Sequence, residues 1–157
     1  MKINDFLTRM WNDYSDLNPH INKVLDLIKE KESKTIINDH IALRTFNHKK
    51  INRHVLSSYF LKNGYKPIED LTFTEKKLKA TYYLHSDPTL PRIFISELLL
   101  ENFSEKLQKS INNKIDEIDV DSISDPEFLT SGIPWSPIDY KTYKEITENI
   151  ANAKEII

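Results

Sequence analysis

The chain has 157 residues, 39% of them hydrophobic, which suits one compact domain with enough apolar side chains for a core. Its 22 basic and 24 acidic residues are spread along the chain for a formal charge of −2, so it has no electrostatic footprint for a nucleic-acid backbone. Cysteine is absent and glycine occurs only at Gly64 and Gly132, which excludes disulfides, thiolate metal sites, thiol nucleophiles and glycine-rich phosphate loops.

Any metal therefore falls to imidazole and carboxylate ligands. The start, MKINDFLTRMW, lacks the apolar core of a secretory signal, and no apolar run nears the roughly 20 residues of a membrane span. A cytoplasmic protein with no membrane partner is expected.

Ile3, Phe6, Leu7, Met10, Trp11, Tyr14 and Leu17 recur at three- and four-residue spacing, which predicts a one-faced helix that Pro19 interrupts. A second helix is predicted from Pro19 to about Lys31, with Ile21, Val24, Leu25 and Ile28 on one face. Together these helices are expected to cap something else. From Thr35 to Phe46 the segment TIINDHIALRTF alternates in the manner of a strand. Helical spacing returns from Lys49 to Asn63, and Gly64 stands where a left-handed residue would end the helix.

Strands are predicted around Leu71 to Phe73 and Leu78 to His85, with Lys76 and Lys77 in the exposed turn between them. The run RIFISELLL, Arg92 to Leu100, reads as a buried strand. Ser104 can cap a helix carrying Leu107, Ile111 and Ile115, and the acidic stretch Asp116 to Glu127 reads as a solvated loop. A last helix is predicted from about Asp139, with Tyr143, Ile146, Ile150 and Ala153 inward.

The chemistry concentrates in the first strand. Alternation sends Asn38, His40, Ala42 and Arg44 to one face and Ile37, Asp39, Ile41, Leu43 and Thr45 to the other. The first face then carries an imidazole and a guanidinium roughly 13 Å apart at Cα, with small Ala42 between them, like the floor of a cavity. A neutral imidazole can coordinate iron or zinc, and a guanidinium grips a carboxylate with two prongs. The same spacing also fits a satisfied strand histidine and a surface arginine.

Glu97 is the best internal carboxylate: it sits in an apolar run, where it needs a partner, a metal or a proton, unless it ends the strand and reaches solvent. His20, His48, His54 and His85 are read as structural or exposed.

The segment NDHIALRTF resembles the first metal-binding strand of the 2-oxoadipate dioxygenase/decarboxylase family, the hydroxyglutarate synthases, relatives of the vicinal oxygen chelate superfamily. The stretches MWNDYSDLNPHI, PRIFISEL and PWSPIDYKTY follow the same order as in that family. Residues 1–157 are accordingly read as a single domain similar to the family's amino-terminal half.

The resemblance implies an α+β module with a curved, mostly antiparallel sheet, a βαβββ order and flanking helices. It implies Fe(II) as cofactor, His40 as a metal ligand, and His40 with Arg44 as the substrate site; no acid–base residue is assigned. The implied reaction takes 2-oxoadipate and O2 to 2-hydroxyglutarate and CO2 on the lysine breakdown route.

In the family a second module follows the PWSPIDY-like segment and carries another histidine and a glutamate, whereas ENIANAKEII departs from the family's pattern. One metal ligand of three is thus carried over. The expectation is a whole or truncated enzyme completed by homodimer formation or by a complementary half-protein. The alternative is a non-catalytic small-diacid-binding module that kept Arg44 and lost the complete metal site, and a plain structural or interaction domain is the third reading.

Overall fold

The computed structural model describes residues 1–31 and 38–149. Helices α1 (Ile3–Leu17) and α2 (His20–Lys31) precede β1 (His40–Phe46), α3 (Arg53–Lys62), β2 (Lys66–Phe73), β3 (Leu78–Leu84) and β4 (Arg92–Leu98). Helices α4 (Glu105–Asp116) and α5 (Tyr140–Asn149) follow, separated by short 3-10 turns. The expected βαβββ order is therefore present in an α+β fold. The expected start of the first strand at Thr35 to Ile37 lies outside the described residues.

The four strands form one open sheet in the order β1-β4-β3-β2. Strands β1 and β4 run parallel, while β4 with β3 and β3 with β2 run antiparallel. One face of this sheet is closed by helices. Ile93 and Ile95 of β4 and Tyr83 of β3 are buried with Phe60 and Leu56 of α3, Phe6 of α1, and Leu107, Ile111 and Ile115 of α4. Burying such a set of large apolar side chains is the main favourable term in holding the layers together.

Local chemistry sets the helix ends. Asn52 accepts from the backbone N–H groups of His54 and Val55 and so starts α3. This cap explains why the helix begins at Arg53 and not at Lys49. At its other end Gly64 takes φ +91°, and the Tyr65 N–H returns to the Phe60 carbonyl. Ser104 caps α4 by accepting from the Leu107 N–H, as expected.

Other expectations differ from the structure as well. Strand β2 begins at Lys66, five residues earlier than predicted, because an edge strand with most side chains exposed has no alternation to read. Pro67 sits at its irregular start, where a missing N–H is tolerated. The acidic stretch after Asp116 is not a plain solvated loop, since Ile118 is buried and Ser122–Ser124 and Pro126–Thr130 form turns. Tyr143 is exposed and not inward, while the Ile146 side chain, Ile150 and Ala153 lie outside the described residues.

Helix α1 packs through Phe6, Ile3, Leu7 and Met10 on the core, yet Leu17 is exposed. Helix α2 buries no residue among those described. No helix among the described residues is long and apolar enough to cross a membrane.

Candidate metal and substrate site

The sheet face away from α3 stays open at one end. Register sets His40 beside Arg92, Ala42 beside Phe94 and Arg44 beside Ser96, and Tyr82 of β3 lies beyond Phe94. His40, Ala42, Arg44 and Arg92 are exposed, whereas Ser96, Leu98 and Ala80 further along the face are buried. The accessible end is thus the one bearing His40 and Arg92.

A depression of about 750 Å³ opens there, lined by Asp39, His40, Ala42, Tyr82, Leu84, Arg92 and Phe94. Asp39, expected on the opposite face, lines it because β1 begins only at His40 and strand alternation does not extend to residue 39. A second cleft of about 460 Å³ meets it at His40 and Ala42 and is walled by Met10, Trp11 and Tyr14 of α1 and Ile21 of α2. His40 stands where the sheet face and this aromatic cleft join. Arg44 shares the face but lines a separate cleft of about 160 Å³ with Phe46, Phe128, Ile133, Pro134 and Trp135. The two residues singled out in the first strand thus share one face of the sheet, and among the described residues Arg44 lines a different cleft from the two that meet at His40.

The imidazole of His40 is oriented by its neighbour. Its Nδ1 lies 3.0 Å from the Asp39 carboxylate Oδ2, and the ring is 62% exposed. With Asp39 accepting, a neutral ring keeps its proton on Nδ1 and leaves Nε2 as a donor atom for a metal. A carboxylate behind a histidine in this manner is the usual support of a metal-binding imidazole.

Glu97 belongs to the opposite face. Its Oε1 accepts from Arg53 Nε at 3.1 Å and its Oε2 from the Arg53 backbone N–H at 3.0 Å. The same guanidinium reaches Asp70 and the Thr81 hydroxyl, and that hydroxyl donates to Asp70. Burial works against the Arg53 charge, but the hydrogen bond and charge of Asp70, then those of Glu97, outweigh it and raise the Arg53 pKa. The Thr81 hydroxyl, and then Arg53, hold the Asp70 carboxyl below its ordinary range. Of the readings open for Glu97, the structure selects an ion-paired carboxylate turned away from His40.

The other imidazoles are engaged elsewhere. His48 accepts from the Lys50 N–H, and burial lowers its pKa. His85 accepts from the Asp87 N–H and leans on Tyr65, with ring centroids 5.2 Å apart. His20 and His54 are exposed on helices.

Among the described residues no group of three histidine, cysteine, aspartate or glutamate side chains is placed to hold a metal ion. The Nε2 of His40 could take one coordination position of a metal ion, and the described residues do not complete a set around it. Arg92 lines the depression beside His40 although its sequence context gives little sign of it. Its only signal was its place at the head of the strand RIFISEL, and nothing local ties position 92 to position 40.

A family model described as 2-oxoadipate dioxygenase/decarboxylase matches residues 6–131. The chain is 34% identical over 116 residues to the chloroplastic 2-oxoadipate dioxygenase/decarboxylase of Arabidopsis thaliana, covering 67% of this chain and 31% of that protein. Among solved structures it is similar to a Shewanella frigidimarina protein provisionally called a hydrolase, with TM-score 0.89 and 39% identity over 97% of this chain and 59% of that one. It is similar as well to the hydroxyglutarate synthase of Oryza sativa solved in complex with 2-oxoadipate, with TM-score 0.84 and 29% identity over 93% of this chain and 50% of that one.

A Ralstonia eutropha protein provisionally placed in the glyoxalase superfamily shares the fold at TM-score 0.72 and 13% identity, covering 93% of this chain and 55% of that one. The chain shares the fold of that protein, an α+β module whose four-stranded mixed sheet is not closed into a barrel. The chain spans about a third of the length of the curated relative and between half and three fifths of the two more similar structures.

Proposed function

The chain belongs to the 2-oxoadipate dioxygenase/decarboxylase family, and on that premise we propose that its open sheet face binds a 2-oxo diacid beside an Fe(II) ion held in part by His40. The reaction is the conversion of 2-oxoadipate and O2 to 2-hydroxyglutarate and CO2, in which both oxygen atoms of O2 are accounted for between the two products. Iron, when bound, supplies open positions for O2 and for a chelating 2-oxo acid. The chain's own residues bind and orient: Asp39 sets the His40 ring, Arg44 grips a substrate carboxylate, and the aromatic cleft beside His40 keeps water from the acid's carbon chain.

The observation that carries this reading is the Asp39-supported imidazole of His40 at the head of an open, partly apolar depression. The described residues supply one ligand and no complete set, so the remaining ligands are supplied from outside them. The Arabidopsis relative is named as a chloroplast protein.

The test is anaerobic loading with Fe(II), followed by O2 and 2-oxoadipate over a wide range of protein concentration. Release of CO2 that rises more than linearly with protein is expected if chains pair to complete the centre. No turnover at any concentration contradicts the catalytic reading.

The lack of a three-ligand group among the described residues favours a second reading, a non-catalytic module that binds small diacids. Diacid binding without metal, lost in Arg44→Ala, selects it.

A further inference from the structure

The open face carries a cation that shares the His40 depression more closely than Arg44 does. Strands β1 and β4 run parallel with His40 and Arg92 as direct partners. Neighbouring strands lie about 4.8 Å apart, so the imidazole and this guanidinium leave the sheet side by side on the same face. Arg44 is four residues further along β1, roughly 13 Å from His40 at Cα, and it opens on a different cleft.

Arg92 is exposed, and the described residues give its guanidinium no carboxylate partner. Asp39 lines the same depression, but its carboxylate is taken by the His40 ring at 3.0 Å and only its backbone carbonyl meets the Arg92 N–H; Glu69 stands opposite Tyr82, two strands away from Arg92. Tyr82, Leu84 and Phe94 surround the same depression. An aromatic and aliphatic wall is of no use to a charge that merely needs water, but it lowers the local dielectric and strengthens the attraction for an anion. A guanidinium gives up its hydration more readily than an ammonium and meets a carboxylate with two parallel N–H donors.

We infer that Arg92 holds the carboxylate adjacent to the keto group of the acid bound at His40, and that Arg44 is left for the carboxylate at the far end. The inference rests on the proposed function and divides its specificity between two residues. Arg92 selects for a 2-oxo acid, and Arg44 selects for a diacid. Neither arginine is assigned a part in proton transfer.

The experiment compares two probes, 2-oxoadipate and 2-oxohexanoate, which differ only in the far carboxylate. Each is titrated calorimetrically under anaerobic Fe(II) into the wild-type chain and into Arg92→Gln, Arg92→Lys and Arg44→Gln. Arg92→Gln is expected to weaken both acids by a similar factor of about tenfold or more, the loss of a charge-assisted pair. Arg92→Lys, which keeps the charge without the fork, should recover part of that loss and reports that the fold is intact. Arg44→Gln should weaken 2-oxoadipate alone. If Arg92→Gln leaves both affinities unchanged, or weakens only the diacid, the assignment of Arg92 is overturned while wild-type binding keeps the functional reading standing. If the wild-type chain binds neither acid, the functional reading itself fails, and the role of Arg92 with it.

Discussion

Arg53 and Glu97 are joined by two hydrogen bonds, one from the guanidinium Nε and one from the backbone N–H at the head of α3. Both side chains are largely buried, 11% and 8% exposed. The pair fastens the first turn of α3 to β4, and through Asp70 and Thr81 it reaches β2 and β3 as well. A charge in an apolar strand, open to several readings in the sequence, is explained by this clasp.

Glu97→Ala is therefore expected to destabilise the protein by about 3 kcal/mol, the low end for breaking a buried pair because Asp70 still faces Arg53. Urea unfolding measures this. Metal and acid binding by the folded protein should be unchanged, since the clasp and His40 lie on opposite faces. A loss below about 1 kcal/mol would put the pair in the class of weak surface bridges.

At the other end of α3, Gly64 holds φ +91°, and a Cβ there would stand 2.7 Å from His85 Nε2. Gly64→Ala should cost more than about 1 kcal/mol from backbone strain alone, with the contact added to it. The double variant Gly64→Ala, His85→Ala should recover the contact part and keep the backbone part. Equal melting temperatures for wild type and Gly64→Ala would show that this helix end relaxes freely.

The legibility of this protein follows the range of the interactions involved. β1 and β4 were readable because their alternation and apolar runs are local, and α1, α3 and α4 because spacing and caps are local too. The first half of β2 was hidden by its edge position, where no face selects apolar residues. Ile118 was hidden in acidic composition although it packs in the core. Arg92 was missed for a longer-range reason: its neighbourhood with His40 exists only once β1 and β4 pair in parallel register. Arg53 and Glu97 are 44 positions apart, so the answer to Glu97 could not be seen from the residues around it.

Acid sensitivity should localise to the segment after α4. Glu117 accepts from Lys114 Nζ and from the Ser136 N–H, both at 2.8 Å, and these contacts take its pKa from 4.5 down to about 2. A carboxylate with a depressed folded-state pKa contributes stability that is complete above its unfolded value and fades as pH falls through the folded one. The stability difference between wild type and Glu117→Gln should accordingly be full above about 4.5 and vanish toward about 2. A difference that stays constant across that window would assign the effect to hydrogen-bond geometry and not to charge.

The claim on which the functional account rests is that His40 brings a metal and an organic acid together on the open face. Its most direct measurement is an anaerobic Fe(II) titration of wild type, Asp39→Ala and His40→Ala, with and without 2-oxoadipate. The account predicts that the acid tightens Fe(II) binding and Fe(II) tightens acid binding by the same factor. It predicts about a 10- to 100-fold loss of metal affinity in Asp39→Ala, the usual effect of removing an orienting carboxylate. In His40→Ala metal binding and the coupling should both disappear while the melting temperature holds, because the ring is exposed. Fe(II) affinity identical in wild type and His40→Ala, with no change on adding the acid, would contradict it.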